Sequence, residues 1–429
     1  MSRNSISMED VGSFSTADVE STPITARGLD RVFRKLLFGR LEKIDQGQLV
    51  IREGDERHTF GDAESGLHVE IAVHDPAFYR QIVTGSTVGA ADAWMDGHMS
   101  CRYPDRLVRL FARNVSVLDG LSGISGLGVR LLERLHYRFS SNTQSGSRRN
   151  ISAHYDLGND FFKLFLDPTM TYSSGIYLSD ESTLYEASVE KLDRICRKLG
   201  LRPGMRLLEI GTGWGSFAMH AAREYGCEVT TTTISEEQHA LATQRVAEAG
   251  LSDRVTVLKK DYRALEGRWE RLVSIEMIEA VGHDYHDTYF KACSDLLTDD
   301  GQALIQAITI PDQRYDYCRK RVDFIKRYIF PGSCIPSTAR IMDCVARKTD
   351  FRLDDLEDIT LHYARTLKDW RDALMANGKA AEAMGYDARF QRLWEFYLAY
   401  CEGGFSERYI GTVQVLLSKP EAARGDMLS

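Results

Sequence analysis

The residues whose spacing carries the most chemistry are Glu209-Ile210-Gly211-Thr212-Gly213-Trp214-Gly215. They follow an apolar run at 205–211 and precede a helical pattern at 217–225. Glycines at such a strand-to-helix turn let the chain reverse tightly and let a ligand approach the backbone. A dinucleotide fingerprint, G-x-G-x-x-G, would need glycine where this chain has Ser216. The E-x-G-x-G-x-G spacing suits a ligand without a pyrophosphate, of which S-adenosylmethionine (SAM) is the common case. In this topology ribose is read at the end of the second strand, about 20 residues on. The chain offers Thr233-Ile234-Ser235 and Gln238 there. The third strand ends in Asp261-Tyr262-Arg263, where the aspartate could accept from an adenine amino group and the tyrosine could cover the ring. Asp261 reads equally well as a helix N-cap. Glu209, Gly211, Gly213, Gly215, Thr233, Ile234, Gln238, Asp261 and Tyr262 are therefore the candidate cofactor residues.

Such residues need a sheet to hold them. Apolar runs at 205–211, 228–234, 255–261, 271–277 and 302–309 alternate with helical patterns, the signature of a mostly parallel sheet with helices on both faces. Two more strand candidates, near 355–363 and 413–419, flank helices and suit an antiparallel edge, which brings the sheet to seven strands. Ahead of it, Leu29, Val32, Phe33, Leu36, Leu37 and Leu41 share one helical face, and short strands near 48–52, 59–61 and 67–73 lead into helical stretches up to about 114. The expected division is a disordered Ser/Thr-rich tail at 1–26, a small mixed α+β domain at 27–141, a polar linker NTQSGSRRN at 142–150, and a catalytic α/β domain at 151–429.

Composition narrows the classes. The 429 residues are 43% hydrophobic and 27% charged with 9 prolines, which fits a globular chain and opposes a proline-rich disordered one. No window reaches the ~20 consecutive apolar residues of a membrane span. The N-terminus has no apolar core and carries acids, so neither a secretory signal nor a transit peptide is expected, and the expected location is cytoplasmic. A formal charge of −8 opposes general nucleic-acid binding. The 8 cysteines form no C-x-x-C pair and read as reduced thiols. His154, His283, His286 and His362 show no ligand spacing, so no metal is expected.

At higher resolution the chain resembles the cyclopropane fatty-acyl-phospholipid synthases and the related mycolic acid cyclopropane synthases. The stretches that carry the resemblance are HYDLGNDFF (154–162), TYSS (171–174), the glycine turn, TISEEQ (233–238), MIEAVG (277–282), QAITI (306–310), RYIFPG (327–332), LHYARTL (361–367) and YCEGGFSERYI (400–410). They run in order over roughly 150–419, with a weaker match at TVGAADAWMDGHM (87–99) in a region resembling the family's lipid-contacting domain. The resemblance implies a Rossmann-like class I methyltransferase that converts the cis double bond of a phospholipid acyl chain into a cyclopropane. It implies Tyr172, Ser173, Gly211, Gly213, Thr233, Gln238, Asp261 and Tyr262 as SAM contacts. It also implies a bicarbonate ion as general base, held by Ser174, Glu279, Gln306, Ile308 and Tyr363. Cysteine is common in the family where Ser174 stands, and histidine where Gln306 stands; both replacements still donate hydrogen bonds, but Gln306 cannot titrate. Cys401 matches a cysteine long suspected of catalysis, and a role in the pocket wall is expected for it.

The chemistry so implied needs an electrophilic methyl, an apolar pocket, and aromatic faces for a transient cation, for which Tyr172, Tyr177 and Phe330 are of the right type. A base must then remove a proton. Apolar neighbours favour a buried, functional Glu279. Proton loss from a neighbouring carbon would give a methylene- or methyl-branched chain instead of a ring, and a lipid-binding relative without activity is the alternative of another class. The expected partner is a phospholipid bilayer, met from its inner face through two basic segments, 27–43 and 314–327. A homodimer is compatible with this arrangement.

Overall fold

Buried parallel strands should read as continuous apolar runs, and those runs form the sheet. The computed structural model describes residues 28–122 and 158–422; the tail at 1–26, the linker at 142–150 and the motif residues His154 to Leu157 lie outside them. The larger sheet comprises β5 (Arg206–Ile210), β6 (Glu228–Thr233), β7 (Val255–Lys259), β8 (Trp269–Ile275), β9 (Leu297–Thr309), β10 (Arg352–Asp358) and β11 (Gly411–Ser418). Its order is β10-β11-β9-β8-β5-β6-β7. Strands β5 to β9 pair in parallel, and β11 runs antiparallel to both of its neighbours.

The two late strand candidates form an antiparallel edge as read: β11 is inserted between β9 and β10, and β10 is the outermost strand. One boundary departs from the sequence reading. The run read as strand to 363 stops at Asp358, whose carboxylate accepts from the Thr360 amide at 2.8 Å and starts the helix Thr360–Ala376. Tyr363 therefore projects from a helix.

The smaller sheet contains β1 (Gln48–Glu53), β2 (Glu56–Gly61), β3 (His68–Val73) and β4 (Met99–Cys101) in the order β2-β1-β3-β4. The last of these, a short strand the sequence reading did not include, lies between the helical stretches Ala77–Met95 and Pro104–Arg113. Its apolar face does not close on itself. Leu49, Ile51, Ile71 and Val73 share one core with Trp370, Trp394 and Phe396 of the C-terminal helices Thr360–Ala376 and Ala388–Ser406. Ion pairs fix the seam: Arg109 and Arg113 of helix Pro104–Arg113 reach Glu407 at 2.7 and 2.8 Å. The face of helix Leu29–Leu41 is also divided. Leu37 and Leu41 are buried, whereas Leu29, Val32 and Leu36 are 70%, 54% and 42% exposed.

Candidate active site

The ends of β5, β6, β7, β8 and β9 converge on one cavity of about 540 Å³, as the C-terminal edges of an open α/β sheet should. Gly211, Gly213 and Gly215 have φ of 103°, 51° and 86°, values that L side chains rarely adopt. The turn is pinned to the next strand by the amides of Gly211 and Thr212, which both donate to the Thr232 carbonyl at 3.0 and 3.1 Å. A Cβ on Gly213 would meet nothing within 4 Å. The space beside it is part of the cavity. Gly215 instead packs on the helix Glu236–Glu248, where a Cβ would lie 3.5 Å from Ala242.

The remaining cofactor candidates line the same cavity: Tyr172, Ser173, Glu209, Thr233, Ile234, Gln238, Asp261 and Tyr262. Thr233 donates to Gln238 at 2.9 Å, and Ser235 caps the helix that carries Gln238. Asp261 is indeed an N-cap. It accepts from the Arg263 amide at 3.0 Å and pairs with the Arg263 guanidinium at 2.7 Å, so it enters the site as an ion pair. Glu209 accepts from Thr231 at 2.6 Å, and burial pushes its carboxyl up to about 8.

Sequence reasoning missed Lys191. It lies on helix Leu184–Lys198 between Ala187 and Ile195 on the buried face, and its Nζ donates to Ser173 Oγ at 2.9 Å. Its surface is 1% exposed, and burial lowers its pKa to about 8, against the pull of Glu276, Glu209 and Asp167. The signal was present as a charged residue on an apolar helical stripe.

Among the candidates for catalysis, Glu279, Ile308, Tyr363 and Cys401 line the cavity. Ser174 and Gln306 are fully buried behind it. The amide of Ile308 donates to Glu279 Oε1, and Glu279 Oε2 is buried with no hydrogen-bond partner among the described residues. Burial and the neighbouring Glu276 push the Glu279 carboxyl up to about 8. Burial also drives the Cys401 thiol far above its ordinary range, so it is un-ionised, in keeping with a wall residue. Of the aromatic candidates, Tyr172 and Phe330 line the cavity. Tyr177 does not: its hydroxyl donates to Asp369 at 2.7 Å and the Arg365 guanidinium covers its ring at 4.1 Å.

A second carboxylate was also missed. Glu276, at the end of β8, lines the cavity with a φ of 51°. The Ser174 amide and Gln306 Nε2 donate to its Oε1 at 3.0 and 2.8 Å, and the Tyr363 hydroxyl donates to Oε2 at 2.6 Å.

The chain matches the family model for mycolic acid cyclopropane synthetase over residues 142–415. It is 38% identical over 351 residues to tuberculostearic acid methyltransferase UfaA1 of Mycobacterium tuberculosis, covering 80% of this chain and 81% of that protein. It is 36% identical over 353 residues to the cyclopropane-fatty-acyl-phospholipid synthase of Escherichia coli, covering 82% and 88%. Two solved structures share the fold. One is the cyclopropane synthase MmaA2 from Mycobacterium tuberculosis, 33% identical with a TM-score of 0.60 over 63% of this chain and 98% of that one. The other is the mycolic acid cyclopropane synthase CmaA1 complexed with SAH and CTAB, 35% identical with a TM-score of 0.59 over the same shares. The glycine turn, the cavity it opens on and these matches together show that the chain belongs to the mycolic acid cyclopropane synthetase family of SAM-dependent methyltransferases.

Proposed function

We propose that the protein transfers the methyl group of SAM to the cis double bond of an unsaturated acyl chain in a membrane phospholipid and closes it to a cyclopropane. One observation carries this reading. The cavity is continuous from Gly213 and Asp261 to an apolar lining of Leu41, Leu49, Ile51 and Ile71 supplied by the N-terminal helix and sheet. A polar cofactor end and a long apolar end in one space suit a methyl donor and an alkyl chain. SAM supplies an electrophilic methyl. The chain's residues hold it at the glycine turn, exclude water with apolar walls, and present Tyr172 and Phe330 to the positive charge that follows attack.

The groups that the resemblance assigns to bicarbonate do not fit that ion here. The Ser174 amide, Gln306 and Tyr363 are turned on Glu276, and the Ile308 amide on Glu279. No step is therefore assigned to bicarbonate. Methyl- or methylene-branched products require the same site with a differently placed proton loss, and the name of the relative UfaA1 keeps that second outcome in view. Gas chromatography with mass spectrometry on acyl chains from unsaturated phospholipid vesicles, incubated with the full chain and SAM, tests the reading. A gain of one CH₂ with a saturated ring is expected, an added methyl or methylene branch would favour the second outcome, and unchanged chains would overturn both.

Access to the bilayer is proposed to run through helix Leu29–Leu41. No helix among the described residues is long and apolar enough to cross a membrane. Exposed Leu29, Val32 and Leu36 lie beside exposed Arg31 and Lys35, the pattern of an interfacial helix. In the second basic segment much of the charge is already spent. Arg314 pairs with Asp119 at 3.1 Å, Arg319 pairs with Asp316 at 2.7 Å, and Lys326 donates to the Cys318 carbonyl at 2.7 Å. Replacing Leu29, Val32 and Leu36 together by serine is expected to weaken vesicle binding by ~100-fold or more, at roughly 1 kcal/mol or more per lost apolar contact, with SAM affinity unchanged. Sedimentation with anionic vesicles checks this, and binding should also weaken with salt.

A further inference from the structure

The carboxylate of Glu276 occupies the ring of donors in which the resemblance places an external anion. Each donor is fixed from behind. Gln414 donates to Gln306 Oε1 at 3.0 Å, which turns the Gln306 amide nitrogen toward Glu276. The Gly175 amide donates to Thr366 at 3.0 Å and anchors the 174–175 backbone. The Tyr363 ring stacks on Phe405 at 4.4 Å, so its hydroxyl has little freedom. Ser174 and Gln306 are both 0% exposed, while Glu276 lines the cavity. Whatever occupies the cavity meets the Glu276 carboxylate before it can meet the Ser174 amide or Gln306 behind it, and the Tyr363 hydroxyl, which reaches the cavity, is already turned on Glu276. A bicarbonate ion would have to share those donors with a like charge, which is unfavourable.

The backbone supports the same reading. Glu276 holds a φ of 51°, costly for a residue with a side chain, and its amide donates to the Gln306 carbonyl at 2.8 Å. This conformation aims the carboxylate at the donor ring. Burial raises the Glu276 carboxyl above its ordinary range, and the hydrogen bonds from Tyr363, Ser174 and Gln306 oppose that rise, with buried Lys191 supplying a compensating cation in the same cavity.

We propose that Glu276 is the general base of the reaction, a carboxylate built into the chain where the resemblance places bicarbonate. This rests on the methyl-transfer reading above. The methyl carbon becomes bonded to one alkene carbon as its bond to sulfur breaks, and positive charge appears on the other alkene carbon. Glu276 takes a proton from the added methyl, and the electron pair of that C–H bond closes the three-membered ring. The product is neutral and the carboxyl holds the proton. Hydrogen bonds to both oxygens keep the carboxylate from collapsing onto the cation as an ester.

The test uses the full chain, SAM and unsaturated phospholipid vesicles, in buffer stripped of carbon dioxide and then with bicarbonate or formate restored. Glycine is compatible with the backbone at this position, so Glu276→Gly opens the ring of donors without strain. Wild-type turnover is expected to be unchanged by stripping. Glu276→Gly is expected to lose about 100-fold in turnover and to regain ~10-fold when either small anion is added, the size of effect typical of general bases. An activity-independent readout accompanies it: isotope-labelled bicarbonate followed by NMR should bind Glu276→Gly and not the wild type, while calorimetry shows SAM binding retained in both. Loss of wild-type turnover on stripping would overturn the proposal, as would bicarbonate binding to the wild type. A variant as active as wild type without bicarbonate, or one that no small anion restores, would do the same. If the wild type methylates no lipid under any condition, the functional reading fails, and the NMR comparison still decides whether Glu276 holds the anion position.

Discussion

Gly213→Val is expected to abolish SAM binding, with affinity lost by about 100-fold or more (roughly 2.7 kcal/mol), while the protein remains folded. A Cβ at this position meets no protein atom within 4 Å, so the apo fold has room for a side chain and repacking is not the source of the loss. The space entered is the part of the cavity that the glycine turn leaves open to the cofactor. The φ of 51° adds strain for a β-branched residue, which lowers stability by about 1–2 kcal/mol without blocking folding. Calorimetry with SAM and S-adenosylhomocysteine, alongside thermal melting, separates the two effects. A valine variant that melts cooperatively and binds SAM with wild-type affinity would place the cofactor elsewhere.

What could be read from the sequence was what local pattern encodes. Strands β5 to β9 are apolar runs because both faces of a central parallel strand are covered, and Leu207, Leu272, Val273 and Leu304 are indeed fully buried. The place of β11 was not local information. Its buried Val413, Val415 and Leu417 suit an interior strand, but its antiparallel insertion between β9 and β10 depends on the helices that precede it. Edge strand β10 carries the sequence RLDDLED and is almost wholly exposed, as an edge protected by charge should be.

The candidate site divides in the same way. The glycine turn announces itself because three closely spaced glycines take dihedrals that side chains rarely adopt. Glu276 does not, because its role depends on donors from 174, 306 and 363, three separate elements that meet only in the fold. The one local hint is an acid at the end of the apolar run 271–277, three residues before Glu279. Read together, the two carboxylates explain the departures at neighbouring positions. A serine at 174 contributes its backbone amide, its hydroxyl being turned to the Gly175 carbonyl at 2.9 Å. A glutamine at 306 needs only to donate, because a proton relay through that side chain is not required when the base is beside it.

Glu279→Gln is expected to lower turnover by about 100-fold while making the protein more heat-stable at pH 8. The Glu279 side chain is 9% exposed, its carboxyl is pushed up to about 8 by burial and by Glu276, and one of its oxygens has no partner among the described residues. At neutral pH Glu279 therefore keeps its proton; burial raises the Glu276 carboxyl as well, but hydrogen bonds from Tyr363, Ser174 and Gln306 oppose that rise, so of the pair Glu276 is the anion. The proton that Glu276 collects in each turnover must leave before the next, and Glu279, near enough for the Glu276 charge to raise its carboxyl, can accept it once its own proton has left to the cavity; an amide cannot pass it on. The stability change follows from linkage. A carboxyl raised in the fold contributes fully below its unfolded pKa of about 4.3, and that contribution is lost as pH rises through about 8. The loss is about 1.4 kcal/mol for each pH unit between the two values. Glutamine carries no charge at any pH, so the variant should match wild type near pH 4 and exceed it at pH 8. Glu209, likewise pushed up to about 8, leaves part of the pH slope in both proteins. Melting temperatures at pH 5 and 8, with turnover at pH 8, make the comparison. A variant that is slower and also less stable at pH 8 would show a damaged fold, and one with wild-type turnover would show that the Glu279 carboxyl has no part in moving the proton.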